Sequence, residues 1–208
     1  MSDSCCQTSV DIGALQRRQR RVLTVVLVIN AITFAMMIAA AMLSSSSSLL
    51  SGALDNFGDA VTYALSFAVV GATTTAKARV ALFKGLMILG AALAVAWQIG
   101  WRLLHPEIPV VETMGAAALL NLGANLVCLR LLAPYRGGDV NMSSAWECSR
   151  NDVLEGLAVI LAAICVWAFG SGWPDVAIAV ALLILFLRSA VRVLGTAWRQ
   201  LDAVVARS

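Results

Sequence analysis

The sequence predicts an all-α membrane protein built from six transmembrane helices. Of its 208 residues, 60% are apolar and only 13% are charged, which excludes both a disordered chain and an ordinary water-soluble domain. The apolar share amounts to about 125 residues, and six membrane spans of ~20 residues would need ~120. The composition therefore agrees with the requirement of six spans.

Six apolar runs, separated by charged residues and by Gly, Pro and Ser, place the predicted spans. Serines form the first turn, at 44–48, while the third and fifth turns, at 105–109 and 170–174, contain proline. No domain-scale linker separates the runs, which favours a single bundle. The predicted spans are 22–43, 47–71, 82–103, 113–134, 145–169 and 174–194.

Basic residues are distributed unevenly among the loops. The turns at 44–48, 105–109 and 170–174 contain no Lys or Arg, whereas the two tails and the other two loops do. Because cytoplasmic loops carry the excess of Lys and Arg, both termini are predicted to be cytoplasmic. The resulting parts are a basic N-terminal tail at 1–21, a membrane domain at 22–194 and a short amphipathic tail at 195–208.

Two other interpretations of the basic N-terminal cluster fit the sequence less well. Arg17, Arg18, Arg20 and Arg21 precede an apolar run as in a signal peptide, but that run of about 22 residues exceeds the usual signal-peptide core. A net charge of +3 would suit nucleic-acid binding, but four of the fifteen basic residues form this one orientation signal. We therefore expect a multi-pass protein of a bacterial inner membrane, in contact with lipid and without a nucleic-acid partner.

Acidic residues inside two predicted spans are the candidate functional residues. Asp55 and Asp59 lie four residues apart on the second span, and therefore on one helix face. Cys148 and Asp152 repeat this spacing on the fifth span, and Gly156 follows at the next step, where a missing side chain lets another helix approach. A carboxylate in the membrane core costs at least ~2.5 kcal/mol, so each acid requires a partner, a proton or a function.

The two pairs lie at depths where they are able to meet. At 1.5 Å per residue, the second-span acids lie ~10–16 Å from the outer boundary and the fifth-span pair lies ~6–12 Å from the inner one, within a core of ~30 Å. Three carboxylates and one thiolate suit a tetrahedral divalent ion such as zinc or cadmium. The alternative is that the acids are protonated and only hydrogen-bond neighbouring helices. The predicted metal ligands are Asp55, Asp59, Cys148 and Asp152.

Other polar residues indicate which helices surround an ion path. Spans one, two, four and five carry polar groups deep in their sequence, so they are predicted to form an inner group with spans three and six peripheral. For the asparagines the alternative is an ordinary interhelical hydrogen bond, and for Glu155 the alternatives are pairing with an arginine and service as a further metal ligand. Cys5 and Cys6 in the tail either capture soft metal or have no role. The predicted lining residues are Ser51, Asn56, Asn121, Asn125, Asn151 and Glu155.

These residues resemble the motifs of the cation diffusion facilitators, a family of six-span antiporters that export divalent metals in exchange for protons. Residues 48–59, S-L-L-S-G-A-L-D-N-F-G-D, are similar to the second-helix motif of the family, and residues 148–152, C-S-R-N-D, are similar to its fifth-helix H-x-x-x-D motif. The resemblance covers nearly the whole chain. It implies a short member without the family's cytoplasmic C-terminal domain, for which a homodimer is a weaker expectation.

One departure from the family motif bears on the metal. Cys148 stands where the family usually has histidine, which replaces a borderline imidazole by a softer thiolate. Zinc, cadmium or another thiophilic ion should therefore gain over manganese or magnesium. The metal is expected as cargo, and no resident cofactor is expected. The loop at 73–79 contains no His, Asp or Cys, so an additional loop site is not expected.

Proton exchange is the expected energy source. Moving a divalent cation outward against an inside-negative potential costs ~4.6 kcal/mol per 100 mV, and the four predicted ligands bind metal only when deprotonated. No G-x-x-x-x-G-K-[ST] phosphate-binding motif is present. An enzyme with Cys148 as nucleophile would lack a base, because the single histidine, His105, falls in an outer loop. A passive metal channel and a non-transporting membrane interaction subunit remain as alternatives.

Overall fold

The computed structural model describes residues 12–68, 74–136 and 140–205, and it confirms the all-α class. Six long helices occupy the positions of the six predicted spans, and a 3₁₀ turn at Ala133–Tyr135 follows the fourth. Within these described ranges there is no β-strand. The helices are α1 (Ile12–Ser44), α2 (Ser47–Ala68), α3 (Thr74–Leu104), α4 (Val111–Leu132), α5 (Val140–Phe169) and α6 (Trp173–Val205).

Several helices are long and apolar enough to cross a membrane. Four segments meet both criteria: Arg17–Ser44, Gly85–Leu104, Val111–Tyr135 and Cys148–Phe169. Large apolar side chains cover the outside of the bundle, as at Ile32, Leu120 and Trp167, which are 63%, 63% and 75% exposed. Such a surface requires a lipid environment, and the chain is a multi-pass integral membrane protein.

Some helices extend past the predicted spans. Helix α1 begins at Ile12 where the predicted span begins at 22, α3 begins at Thr74 where it begins at 82, and α6 ends at Val205 where it ends at 194. Hydropathy identifies only the part of a helix that contacts lipid. The segments beyond the apolar runs contain Arg, Gln and Leu, whose high helix propensity lets the helix continue. The predicted C-terminal tail is thus, as far as Val205, a direct extension of α6.

Helix α2 lies at the centre of the bundle. It contacts each of the other five helices, while α1 also packs on α4, α4 on α5, α5 on α6, and α6 on α3. The helix that carries Asp55 and Asp59 is thus enclosed by its five neighbours.

The bundle has two ends, each closed by an apolar cluster. We call them the Ser44 end and the Tyr135 end. At the Ser44 end, small and long apolar side chains from α1, α2, α4, α5 and α6 pack together, among them Met37, Leu49, Met114 and Val159. At the Tyr135 end the cluster contains Val26, Tyr63, Cys128, Leu132, Tyr135 and Ala145. The polar side chains of α2 and α5 lie between these two clusters.

A buried carboxylate at the Ser44 end caps the first turn of α2. Asp175 of α6 accepts hydrogen bonds from the Ser46 and Ser48 hydroxyls, both at 2.6 Å, and from the backbone N–H groups of Ser47 at 2.7 Å and Ser48 at 3.1 Å. A negative charge at a helix N-terminus satisfies unpaired N–H groups and complements the helix dipole. We call this arrangement the Asp175 clasp; it joins α6 to α2.

The turns at the Ser44 end depend on close backbone approaches. Gly170 has φ +60° and donates its N–H to the Val166 carbonyl at 2.9 Å, which ends α5. Gly172 lies against the Glu107 carbonyl, so tightly that a side chain at this position would collide with it. Glu107 also pairs with Arg102 at 2.5 Å. The predicted breaks at 105–109 and 170–174 therefore pack against each other.

Candidate metal site

Helix α2 presents the first pair of predicted ligands to its neighbours. Asp59 is buried and Asp55, one turn away, is half-buried. Ser51, predicted to line the path, is buried too, but its hydroxyl donates to the Ser47 carbonyl at 3.1 Å and to the Ala179 carbonyl of α6 at 3.4 Å. The Ser51 hydroxyl is thus hydrogen-bonded to backbone carbonyls, one of them on α6. Ser51 lies one helical turn nearer the Asp175 clasp than Asp55 does.

Helix α5 presents the second pair. Asp152 is buried at 3% exposure and Cys148 is half-buried. Gly156, one turn further along, lies against α4: a Cβ there would come within 3.3 Å of Leu122 Cδ1 and 3.6 Å of its Cα. The predicted close approach at this glycine is thus confirmed, and it holds α5 tightly against α4.

The two pairs face each other across the α2–α5 interface. The carboxyl groups of Asp55 and Asp152 lie next to each other, and Asp59 and Cys148 are near enough to interact electrostatically with Asp152. The structure therefore brings the four predicted ligands into one neighbourhood and places two of them side by side.

The four side chains do not yet surround a single point. In the part of the chain that the structure describes, no three His, Cys, Asp or Glu side chains are gathered closely enough to hold a metal ion. Only the carboxyl groups of Asp55 and Asp152 lie directly next to each other among these four. The tetrahedral arrangement of four ligands stays a prediction.

Two residues near Asp59 were not singled out from the sequence. The Tyr63 hydroxyl donates to Asp59 Oδ2 at 3.2 Å, and Cys128 of α4, fully buried, interacts electrostatically with Asp59. Tyr63 follows Asp59 by four residues, so helical spacing could have identified it. Cys128 belongs to a different helix, and only its position three residues after Asn125 indicates the same face.

The asparagines predicted to line the path connect α4 to the ligand helices. Asn56 of α2 donates through Nδ2 to Asn121 Oδ1 at 2.7 Å, and Asn125 donates through Nδ2 to the backbone carbonyl of Asp152 at 3.5 Å. All three are buried. These are the interhelical hydrogen bonds that the alternative interpretation expects, and they border the Asp55–Asp152 pair.

The remaining predicted residues have different surroundings. Glu155 is half-buried and interacts electrostatically with Asp55 and Asp59. Asn151 is exposed, unlike its neighbour Asp152. Cys5 and Cys6 lie outside the described residues, and their possible role in metal capture stays a prediction.

Comparison with known families assigns the chain. The cation efflux transmembrane domain family matches residues 23–201, which is most of the sequence. The chain belongs to this cation efflux family. Its members are transporters rather than enzymes, and the match confirms the resemblance seen in the sequence motifs.

Curated relatives of this cation efflux protein match about half of it. The metal cation efflux system protein CzcD of Cupriavidus metallidurans is 32% identical over 102 residues, which are 48% of this chain and 32% of the relative. The cadmium, cobalt and zinc/H(+)-K(+) antiporter of Bacillus velezensis is 31% identical over 113 residues, 52% of this chain and 36% of the relative. The chain thus spans about a third of the length of the curated relatives it matches.

Proposed function

We propose that this protein exports divalent metal cations across the cell membrane in exchange for protons, and that the ion binds Asp55, Asp59, Cys148 and Asp152. The observation that carries the proposal is the carboxyl pair of Asp55 and Asp152, buried between two helices of a membrane protein with a thiol and a third acid beside it. The efflux names of the relatives from Cupriavidus metallidurans and Bacillus velezensis support it.

The proposed topology has six membrane crossings with both termini in the cytoplasm. Helices α2 and α6 would add two crossings to the four apolar spans, and the Tyr135 end would face the cytoplasm because the basic residues flank it. Helices α1, α2, α4 and α5 would form the inner group around the ion, with α3 and α6 beside it. The hydrogen bonds from Asn56 to Asn121 and from Asn125 to Asp152 support this grouping.

Protons and metal would compete for the same oxygens. A divalent ion binds carboxylates and thiolates, so any proton held by these groups has to leave when the ion enters. When the ion leaves to the outside, the carboxyl groups take up protons again. Two protons per ion would cancel the ~4.6 kcal/mol per 100 mV that outward movement of a divalent charge costs. Exchange with protons is also named for the Bacillus velezensis relative.

The ligand set favours soft divalent ions. Cys148 supplies a thiolate, which selects zinc or cadmium over the harder manganese and magnesium. The Tyr63 hydroxyl occupies Asp59 Oδ2 in this structure, so that hydrogen bond would be released or shared when Asp59 binds an ion. The transported metal is substrate in this account.

Zinc uptake into everted membrane vesicles tests the proposal. With an imposed pH gradient, the wild-type protein should accumulate zinc, and Asp59→Asn should reduce the uptake to background because one ligand loses its charge. Glu112→Gln is a matched control, since Glu112 is an exposed acid in the first turn of α4. Zinc uptake that does not depend on the pH gradient would indicate a passive channel. Zinc uptake that is unchanged in Asp59→Asn would contradict the proposed site.

A further inference from the structure

A polar layer that crosses four helices lies next to the apolar cluster of the Tyr135 end. In that cluster Val26 of α1, Tyr63 of α2 and Cys128 of α4 pack together. Helix α1 runs toward the Ser44 end, whereas α2 and α4 run away from it. One helical turn nearer the Ser44 end therefore brings Asn30 of α1 level with Asp59 of α2 and Asn125 of α4.

Helix α5 completes this layer. Asn125 donates to the Asp152 backbone carbonyl, so Asp152 lies at the same level. Asn56, one turn before Asp59 on α2, lies on the adjacent level with its partner Asn121. We call Asn30, Asn56 and Asn125 the amide layer. Asn30 and Asn125 are 0% and 1% exposed, and Asn56 is 1% exposed.

The amide layer contains buried oxygens without hydrogen-bond donors. In the described ranges, seven buried side-chain nitrogen or oxygen atoms have no hydrogen-bond partner, and two of these, Ser47 Oγ and Arg102 Nε, belong to residues at the Ser44 end. The other five lie in or beside the layer. They are Asn30 Oδ1, Asn56 Oδ1, Asn125 Oδ1, Asp152 Oδ2 and Ser149 Oγ. Because native proteins rarely leave buried acceptors unpaired, such a concentration requires hydrogen-bond donors from outside the chain, such as water or a ligand.

The orientation of two of the amides is fixed by their nitrogen atoms. Asn30 Nδ2 donates to the Val26 carbonyl at 3.0 Å, and Asn125 Nδ2 donates to the Asp152 carbonyl. A backbone carbonyl only accepts, so these contacts require the nitrogen and leave each amide oxygen for another donor. The layer therefore offers neutral acceptors beside a cluster of acids.

Water molecules on a bound cation are the donors that suit this layer. A divalent ion held by carboxylates and a thiolate polarises its remaining water ligands, which then donate strongly. We propose that Asn30, Asn56 and Asn125 accept hydrogen bonds from water coordinated to the transported ion, and so hold it partly hydrated beside Asp59 and Asp152. This inference rests on the proposed function and extends the site to α1 and α4.

Helix α1 offers a variant and a matched control for the test. Asn30→Leu removes both the amide oxygen and the amide donor, whereas Asn30→Asp keeps acceptor oxygens in the same place, loses the donor to the Val26 carbonyl and adds an acid beside Asp59. Thr33 is the control because it is also buried, but its hydroxyl is satisfied by the Ile29 and Asn30 carbonyls at 2.9 and 3.1 Å. Thr33→Val therefore removes a buried polar group that faces no ligand.

Zinc titration of the purified full-length chain measures the effect. We expect Asn30→Leu to raise the zinc Kd about tenfold, which corresponds to the loss of one charge-assisted hydrogen bond. Asn30→Asp should retain wild-type affinity or exceed it, and Thr33→Val should leave it unchanged. Asn125→Leu and Asn125→Asp repeat the comparison on α4 if Asn30→Leu does not yield folded protein.

Two outcomes would overturn the inference. If Asn30→Leu and Asn30→Asp weaken zinc binding equally, Asn30 only secures the Val26 carbonyl and has no contact with the water shell. If Asn30→Leu binds zinc like the wild type, the amide layer does not hold the ion. Asp59→Asn, titrated in parallel, tests the proposed metal site itself. If Asp59→Asn loses zinc affinity while Asn30→Leu keeps it, the proposed function stands and only the role of the amide layer is contradicted. If both variants keep full zinc affinity, the proposed site is contradicted as well.

Discussion

Buried carboxyl groups occur in two very different settings in this protein. Asp175 at the Ser44 end is 1% exposed, and both of its oxygens accept hydrogen bonds from serine hydroxyls and N–H groups at the start of α2. Asp152 instead lies beside Asp55 at the contact of α2 and α5, with Asp59 near enough to interact electrostatically, and Asp152 Oδ2 has no donor among the described residues. In the first setting both carboxyl oxygens have donors, whereas the second setting suits groups that exchange protons or ions.

This difference separates a structural acid from functional ones. Donors around Asp175 compensate for its desolvation, so the carboxylate stabilises the fold. Negatively charged carboxylates in a low-dielectric site repel one another, which lowers the stability of the fold unless a proton or cation is bound between them. Proteins retain such costly clusters where activity requires them. The two clusters should therefore respond in opposite ways to removal of an acid.

Removal of Asp152 should have the largest effect on function. Asp152→Ala takes away a predicted ligand and the partner of Asp55, so we expect zinc binding by the purified protein to be lost in isothermal titration. Thermal stability should stay the same or rise, because one of several opposing buried acids is gone. A marked fall in thermal stability with zinc binding retained would make Asp152 a structural residue like Asp175.

Removal of Asp175 should show the reverse pattern. Asp175→Ala leaves the serine hydroxyls and the first N–H groups of α2 without their acceptor, and we expect a loss of about 3 kcal/mol in the free energy of unfolding in detergent. Zinc binding per folded molecule should persist. Glu112→Ala serves as control, because Glu112 also lies in the first turn of a helix but is exposed. Equal stability of the Asp175 and Glu112 variants would contradict the role of the clasp.

Substitution of the thiol sharpens the account of the metal site. Cys148→His changes a soft donor into a borderline one, so cadmium affinity should fall relative to zinc affinity by about tenfold. Competition titrations with the two metals on the same preparation measure this ratio. A ratio that does not change would place the Cys148 sulfur outside the coordination sphere.

The ion pair at the rim of the Ser44 end should give the smallest effect. Arg102 donates to Glu107 and attracts its charge, which lowers the pKa of the Glu107 carboxyl below its ordinary value of 4.5. The stabilisation is therefore present above pH 4.5 and is lost as the pH falls through the lowered pKa. Glu107→Gln should reduce Tm slightly at pH 7 and leave it equal to wild type in strong acid. Because Glu107 is largely exposed, solvent screens most of this attraction.

The sequence predicted the helices and the candidate ligands through local periodicity. The apolar runs located the six helices, and the spacing of Asp55 with Asp59 and of Cys148 with Asp152 placed these pairs on single faces. Hydropathy could not give the start of α1 or the end of α6, because polar helical turns continue beyond the apolar part. The Asp175 clasp was not predicted either, since Asp175 in the sequence is only the first charge of an apolar run.

Long-range contacts explain the rest of what was missed. Ser46 and Asp175 are distant in sequence, and no local pattern shows that they touch. Asn125 was predicted to line the path, but its contact with the Asp152 backbone depends on the close packing of α5 on α4 that Gly156 permits. Whether the four ligands close around one ion depends on side-chain rearrangement, which neither helical periodicity nor hydropathy describes.

The Asp175 clasp also restricts how the bundle is able to move. It fastens α6 to α2 at one end, so these two helices share a pivot there and have more freedom to swing apart at the other. A rocking motion that uncovers Asp59 would then be widest near Tyr63 and Tyr135, and narrowest at the serines. The serines at the start of α2 would then be the fixed point about which the two helices turn.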